Sequence, residues 1–369
     1  MCGVLKAALV VFLVSILPFN NLASALDKPV DELERAKLLR RTLQHDGIER
    51  EYFLYLPTSF NSENETPIVL MLHGYGGSAT GIALETSGGF NRYAEKMGYI
   101  VVYPQGTHFL ARGSADKEQF ISSWNELSGQ KASGPRGPLC KADAEPYPCP
   151  PECGSCGHCA WAACHDDIGF IKKLMEEIQL MFNSNAARQF LTGFSNGSMM
   201  SQRLACEMGE YWSAVALVSG RLPIGYSCAP GKPLPLLQIN GMKDSSVPYD
   251  GSASSGGYFY TSVREVSETW AKAAGCEYSP ASYESGYGEE DDLQCERQAN
   301  CGDSKIEITS CALPERGHTW PGYPVYSGWC AAEEQQQTIA MPVCKKPDST
   351  REIWGSQMIL EFFERHRKR

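Results

Sequence analysis

The chain has 369 residues, 43 of them acidic against 33 Lys or Arg, and the resulting formal charge of -10 argues against a nucleic acid or an anionic membrane as partner. With 43% hydrophobic residues it has the composition of a globular chain, and its length admits one large α/β domain or two of average size.

Residues 1–25 carry one charge, Lys6, then an apolar run over 7–17, then Ala23-Ser24-Ala25. This is the pattern of a secretory signal peptide, because the apolar run is too short to cross a bilayer core of about 30 Å and the small residues suit a cleavage site. No later stretch is long and apolar enough to span, so residues 26–369 are expected to be extracellular, with no membrane partner after cleavage. Cys2 leaves with the leader, and the even number of cysteines that remain reads as disulfides. Asn64-Glu65-Thr66 is a glycosylation sequon that Pro67 disfavours, and Asn196-Gly197-Ser198 is a second.

Residues 50–56, R-E-Y-F-L-Y-L, read as an aromatic strand, and 67–72, P-I-V-L-M-L, as a continuous apolar one of the kind covered on both faces. His73-Gly74-Tyr75-Gly76-Gly77 follows directly. A helix over 89–97 and a strand over 100–103 come next. Between 114 and 163 the regular pattern stops in a long insertion that holds Ser123-Trp124-Asn125-Glu126 and then Cys140, Cys149, Cys153, Cys156 and Cys159, with Cys164 just after. The spacing Cys153-x-x-Cys156-x-x-Cys159, with His158 and His165 near, would suit zinc or a cluster. The oxidising destination favours a disulfide-knotted loop, and no metal is expected.

Over 166–182, Ile168, Ile171, Met175, Ile178 and Phe182 recur at helical spacing, with Asp166 and Asp167 as solvated residues at the positive N-terminus. The stretch 189–200, Q-F-L-T-G-F-S-N-G-S-M-M, reads as a buried strand, a sharp turn and the start of a helix, and contains G-x-S-x-G. That motif is the nucleophile elbow of a serine hydrolase. The turn pushes the Ser195 hydroxyl into the open, and Gly193 and Gly197 stand where side chains would clash. A glycan on Asn196 would block it. Residues 213–218 and 234–239 read as two further core strands, and Asp244 lies just past the second, where catalytic groups of open α/β sheets collect. A helix over 261–274, a cystine-closed loop over 276–301, a strand over 305–313 and a helix over 351–364, burying Ile353, Ile359 and Phe362, complete the chain. The alternation gives a mainly parallel, doubly wound sheet with helices on both faces.

Beyond Asp244 the histidines are His318, in Gly317-His318-Thr319-Trp320, and His366, in a cationic tail, so elimination leaves His318. Ser195, Asp244 and His318 stand in the order that this elbow demands. His318 would take the serine proton, Asp244 would hold the imidazole in the right tautomer, and the N–H groups of Tyr75, or in its place Gly74, and of Asn196 would hold the developing oxyanion. His73 reads as structural. No cofactor is needed, and activity is expected to fall in acid, where a histidine is charged and cannot act as base.

These residues carry a resemblance. The motifs L-H-G-Y-G-G at 72–77, D-D-I-G-F-I at 166–171, G-F-S-N-G-S-M-M at 193–200, D-S-S-V-P-Y at 244–249 and G-H-T-W-P-G at 317–322 resemble those of the secreted polyhydroxybutyrate depolymerase and feruloyl esterase group of carbohydrate esterase family 1. The resemblance implies an α/β-hydrolase fold, Ser195, Asp244 and His318 as catalytic residues, and an ester substrate carried by a polysaccharide or a polyester. The Cys-rich insertion, about 114–165 of a single domain, departs from that group, which leaves the substrate open. Trp124, Trp320 and Tyr75 are candidates to stack on an aromatic acid or a sugar. A serine peptidase on the same fold and a catalytically silent binding module are the competing readings.

Overall fold

The computed structural model describes residues 38–86, 89–112, 118–127, 133–159, 164–184, 186–289, 292–302, 306–323, 329–336, 338–345 and 353–367. The leader segment and the last two residues of the cationic tail lie outside the described residues. The strands are β1 (Leu39–His45), β2 (Ile48–Tyr55), β3 (Ile68–Leu72), β4 (Ile100–Pro104), β5 (Thr107–Arg112), β6 (Glu118–Ser123), β7 (Ser133–Gly134), β8 (Gly137–Pro138), β9 (Gln189–Phe194), β10 (Ala214–Val218), β11 (Leu236–Gly241), β12 (Ala281–Tyr283), β13 (Gln294–Cys301) and β14 (Ile306–Leu313). The helices are α1 (Ala79–Thr86), α2 (Phe90–Met97), α3 (Asp167–Phe182), α4 (Asn196–Glu207), α5 (Val263–Ala273) and α6 (Trp354–Arg365).

Ten strands join in the order β1-β2-β4-β3-β9-β10-β11-β14-β13-β12. From β4 to β14 the neighbours are parallel, and antiparallel strands flank them on both sides. Strand alternation splits the apolar residues between two layers. Ile68, Leu70 and Leu72 of β3 belong to one apolar layer with Phe170 and Leu174 of α3, Met200 of α4 and Trp270 of α5. Val69 and Met71 face the other way, with Ile82 of α1, Phe90 of α2 and Phe362 of α6. Both faces are covered, which is why β3, β9, β10 and β11 are buried along their whole length. This is the α/β-hydrolase fold. Ile353, Ile359 and Phe362 are buried, as the terminal helix requires.

Three regions differ from the sequence expectation. β5 and β6 form a hairpin that runs into the stretch read as irregular. Residues 276–301, read as a loop, are closed by the Cys276–Cys301 cystine but also supply β12 and β13 to the sheet edge, pinned to β14 by Cys295–Cys311. Asp167 is not a solvated cap residue: Asp166 caps the helix, accepting from the Gly169 N–H at 3.0 Å, whereas Asp167 is fully buried and ion-paired to Arg50 at 2.7 Å.

The cysteines from Cys140 onward form seven cystines. Three of them, Cys140–Cys159, Cys149–Cys156 and Cys153–Cys164, knot the insertion. His165 lies beside Cys153 and Cys164, but their sulfurs are joined to each other and offer no thiolate to a metal.

Candidate active site

Register brings the site residues to one edge. Leu72 pairs with Gly193, Phe194 with Val218, Val218 with Ile239 and Gly241 with Leu313, so the carboxyl ends of β3, β9, β10, β11 and β14 line up. The segments after four of these ends carry His73 to Tyr75, Ser195, Asp244 and His318, in the position where open α/β sheets gather their ligands.

Ser195 sits at the turn from β9 to α4 with φ 54° and ψ -121°, a conformation that side chains rarely adopt. The chain can turn so sharply because its neighbours lack Cβ atoms. A Cβ on Gly193 would lie 2.4 Å from the Gly197 carbonyl oxygen, and one on Gly197 2.4 Å from both the His73 and Leu72 carbonyl oxygens. The same crowding extends outward, since a Cβ on Gly220 would lie 2.0 Å from the Ser195 carbonyl oxygen.

The structure brings Ser195, His318 and Asp244 into one hydrogen-bonded line. His318 Nε2 lies 2.9 Å from Ser195 Oγ, and His318 Nδ1 lies 2.7 Å from Asp244 Oδ2. The Asp244 side chain is fully buried while that of His318 is 22% exposed and Ser195 is half-buried, so the line runs from the interior towards the surface. The other Asp244 oxygen accepts from the N–H groups of Ser246 and Val247 at 2.8 and 2.9 Å, which fixes the carboxylate plane. The His318 loop is tied to the Asp244 loop by Lys243 N–H to Arg316 O at 2.9 Å. His366 stands apart, with Nε2 3.4 Å from Glu307.

Behind the acid loop lies a residue that sequence reasoning missed. Arg221 is fully buried, and its guanidinium donates to the carbonyls of Val247 at 2.9 Å, Pro248 at 2.7 Å and Thr261 at 2.8 Å, and to Asn240 Oδ1. Burial pulls its pKa down to about 10 while the Asp244 charge opposes that fall, so it remains a cation at neutral pH. No motif announces it, because its partners come from segments distant in the chain.

The loop after β3 is held just as firmly. His73 is fully buried, with Nδ1 2.8 Å from the Gly74 carbonyl and Nε2 accepting from the Gly106 N–H at 2.9 Å. Burial lowers its pKa to about 4, so it is neutral and donates from Nδ1. Gripping the Gly74 carbonyl also orients the Tyr75 N–H, since the two belong to one planar peptide. The Asn196 N–H lies in the first turn of α4, where helical N–H groups have no partner within the helix. The Asn196 side chain is committed elsewhere: its amide accepts from the Trp124 N–H at 2.7 Å and donates to the Trp124 carbonyl at 3.3 Å. Being buried and so engaged, Asn196 cannot serve as a glycosylation site.

The two tryptophans expected to stack on substrate do not face it. Trp124 is 0% and Trp320 1% exposed. The Trp124 indole donates to the His73 carbonyl at 2.9 Å and that of Trp320 to Ser356 Oγ at 3.1 Å, so both are packing residues that use their one donor to brace the loops. Tyr75 does reach a cavity, described below.

Fold and site together define an α/β-hydrolase with the side-chain set of a serine hydrolase. The chain is similar to NocK of Nocardia uniformis subsp. tsuyamanensis, a protein called an esterase by inference, with 26% identity over 293 residues covering 74% of this chain and 72% of that protein. It is also similar to feruloyl esterase B of Piromyces equi, 26% identical over 161 residues, 42% of this chain and 29% of that protein. Feruloyl esterase C of Emericella nidulans is 37% identical over 90 residues, 24% of this chain and 33% of that protein. The matches thus span about a third of the feruloyl esterases' own length. An acetyl xylan esterase from Aspergillus awamori superposes with a TM-score of 0.47 at 15% identity, covering 76% of this chain and 94% of that one, too loose a likeness to argue from. No protein-family model matches the chain. The chain is a carboxylic ester hydrolase.

Proposed function

We propose that the protein is a secreted serine esterase that hydrolyses feruloyl or acetyl esters of polysaccharides through an acyl-enzyme. The observation that carries the reading is the line Ser195–His318–Asp244, at 2.9 and 2.7 Å with the acid buried and the histidine and serine partly exposed. His318 accepts the proton of Ser195 as the oxygen attacks the ester carbonyl, and Asp244 stabilises the imidazolium. The tetrahedral oxyanion rests on the N–H groups of Tyr75 and Asn196. Collapse expels the alcohol, protonated by His318, and water then cleaves the acyl-serine by the same steps. The class of substrate comes from the names of the relatives and from the motifs, which also raise the polyester alternative.

Seven cystines support export to an oxidising compartment, and among the described residues no helix is long and apolar enough to cross a membrane. The test is labelling by a fluorophosphonate probe together with turnover of methyl ferulate, acetylated xylan and a hydroxybutyrate oligomer. Ser195→Ala should abolish labelling and lower turnover by about 10³ to 10⁶. A protein that neither labels nor turns over any of these would be a silent binding module, and turnover of amides alone would make it a peptidase.

A further inference from the structure

The insertion does more than decorate the fold: it builds the wall of a cavity of about 550 Å³, within the range of small-ligand sites of about 300 to 1,000 Å³. One wall is the stretch that follows Cys140, inside the loop closed by the Cys140–Cys159 cystine, with Lys141, Asp143, Glu145 and Tyr147. The opposite wall is the segment around Tyr258. The walls are fastened by the Lys141 N–H to the Gly257 carbonyl at 2.8 Å, the Phe259 N–H to the Leu139 carbonyl at 2.9 Å and the Tyr258 hydroxyl to the Glu145 carbonyl at 3.0 Å.

Two of the loops that carry the reacting centre also border this cavity or are tied to its wall. Tyr75, whose N–H is the proposed oxyanion donor, lines it and meets the Tyr147 ring edge-on at 5.0 Å, and Tyr147 in turn meets Tyr258 at 5.2 Å. Ser255, on the far wall, donates its N–H to the carbonyl of Ser245, the neighbour of Asp244, at 2.7 Å. Beneath, Leu139 and Cys140 share one apolar cluster with Met199 of α4 and Val247 of the acid loop. Tyr75 is thus shared by the cavity and the loop that follows β3, beside the Ser195 turn.

We propose that the cavity is a subsite for a neutral oligosaccharide, taking the sugar portion of the ester. The inference rests on the esterase reading for its role in turnover, but the binding itself does not require catalysis. The half-buried Tyr75 and Tyr147 put ring surface in the lining for the C–H groups of a pyranose, with Tyr258 packed behind Tyr147, and the exposed Asp143 and Glu145 carboxylates can accept from vicinal hydroxyls. One ammonium, on Lys141, stands against two carboxylates, so a polyanionic chain meets repulsion where a neutral one does not.

The test is calorimetric titration of the Ser195→Ala protein, which cannot consume the ligand, with xylotriose and with trigalacturonate. Xylotriose should bind with a Kd in the millimolar range or tighter, and Asp143→Asn with Glu145→Gln, both exposed positions, should weaken it about tenfold or more. Tyr147→Ala should do the same, with circular dichroism showing that the variant is folded. Trigalacturonate should bind at least tenfold more weakly than xylotriose. No heat with xylotriose, an affinity indifferent to all three substitutions, or preference for trigalacturonate would overturn the proposal. If wild-type protein binds xylotriose but fails to label at Ser195, the esterase reading falls and the subsite stands.

Discussion

The elbow and the insertion solve the same problem, holding a few side chains still, in opposite ways. At the elbow the sheet does it: parallel strand ends in register deliver Ser195, Asp244 and His318, and the turn closes only because Gly193 and Gly197 lack a Cβ, which would strike backbone at 2.4 Å. In the insertion there is little regular structure to rely on, and three cystines with a few backbone bonds to the segment around Tyr258 do the holding. The first arrangement leaves no room for a side chain at Gly193 or Gly197, because the contacts there are backbone against backbone. The second is a module fastened at its rim, so the shape around the ester can change while the chemistry beneath stays fixed.

If that division is right, damage to the elbow side should abolish turnover. The largest effect after loss of Ser195 is expected for Asp244→Asn. An amide there keeps the bonds from the Ser246 and Val247 N–H groups but presents a donor or a neutral oxygen to His318, leaving the imidazole in the wrong tautomer. A fall of about 10⁴ in kcat is expected, with KM for a p-nitrophenyl ester nearly unchanged. A fall under tenfold would separate Asp244 from the chemistry.

Next comes Arg221, which ties the elbow side together from below. Arg221→Met removes the donor from the carbonyls of Thr261, Val247 and Pro248 and from Asn240 at a fully buried position, which should cost about 3 to 5 kcal/mol of stability. Urea unfolding followed by tryptophan fluorescence measures that cost. In the folded fraction, kcat should drop while the protein still labels slowly with fluorophosphonate, because the acid loop loses its anchor but Ser195 does not.

A third effect is set by pH. His73 is held neutral with a pKa of about 4, against about 6.5 in the unfolded chain, so between those values the unfolded chain binds more protons. The stability that neutral His73 allows is complete above pH 6.5 and is lost as pH falls towards 4, to a total of about 3 kcal/mol. Burial shifts His108 in the same direction. The difference in unfolding free energy between wild type and His73→Gln, followed from pH 7.5 to 4.5, should shrink on acidification. A constant difference would mean that His73 titrates alike in the folded and the unfolded chain.

The same division explains what could be read from the sequence. Requirements acting between neighbours in the chain were visible: Gly193 and Gly197 flank Ser195, and the acid and base follow strand ends. The fold class was legible for the same reason, since apolar runs such as 68–72 report a sheet covered on both faces. Two kinds of element were hidden. Helix α1, A-T-G-I-A-L-E-T, is buried almost all round and so shows no amphipathic period, and β13, Q-C-E-R-Q-A-N-C, lies near the sheet edge and carries little apolar signal. Roles that depend on distant partners were hidden too. Asp167 looks like any helix-start acid until Arg50 and the Asn125 N–H, at 2.7 Å each, are brought to it. Trp124 looks like a stacking platform until its indole is found under the His73 carbonyl.

The smallest expected effect on the chemistry is also the sharpest test of the contrast. Replacing Cys140 and Cys159 together by Ser opens a cystine that closes 19 residues of chain, worth about 3 kcal/mol by loop-closure entropy. That cost should fall on the insertion alone, because Ser195, Asp244, His318 and His73 all hang from strand ends that the cystine does not touch. The paired variant should therefore be cut by trypsin within the insertion, at Lys141 or nearby, many times faster than wild type. It should still turn over p-nitrophenyl acetate within about threefold, since an opening of a few kcal/mol in one unit need not spread to another. Activity on a polysaccharide ester should suffer more, because the Lys141 wall is then free to leave Tyr258. If small-ester turnover collapsed together with the insertion, the two regions would be one cooperative unit, and the rim fastening described above would be a continuation of the core.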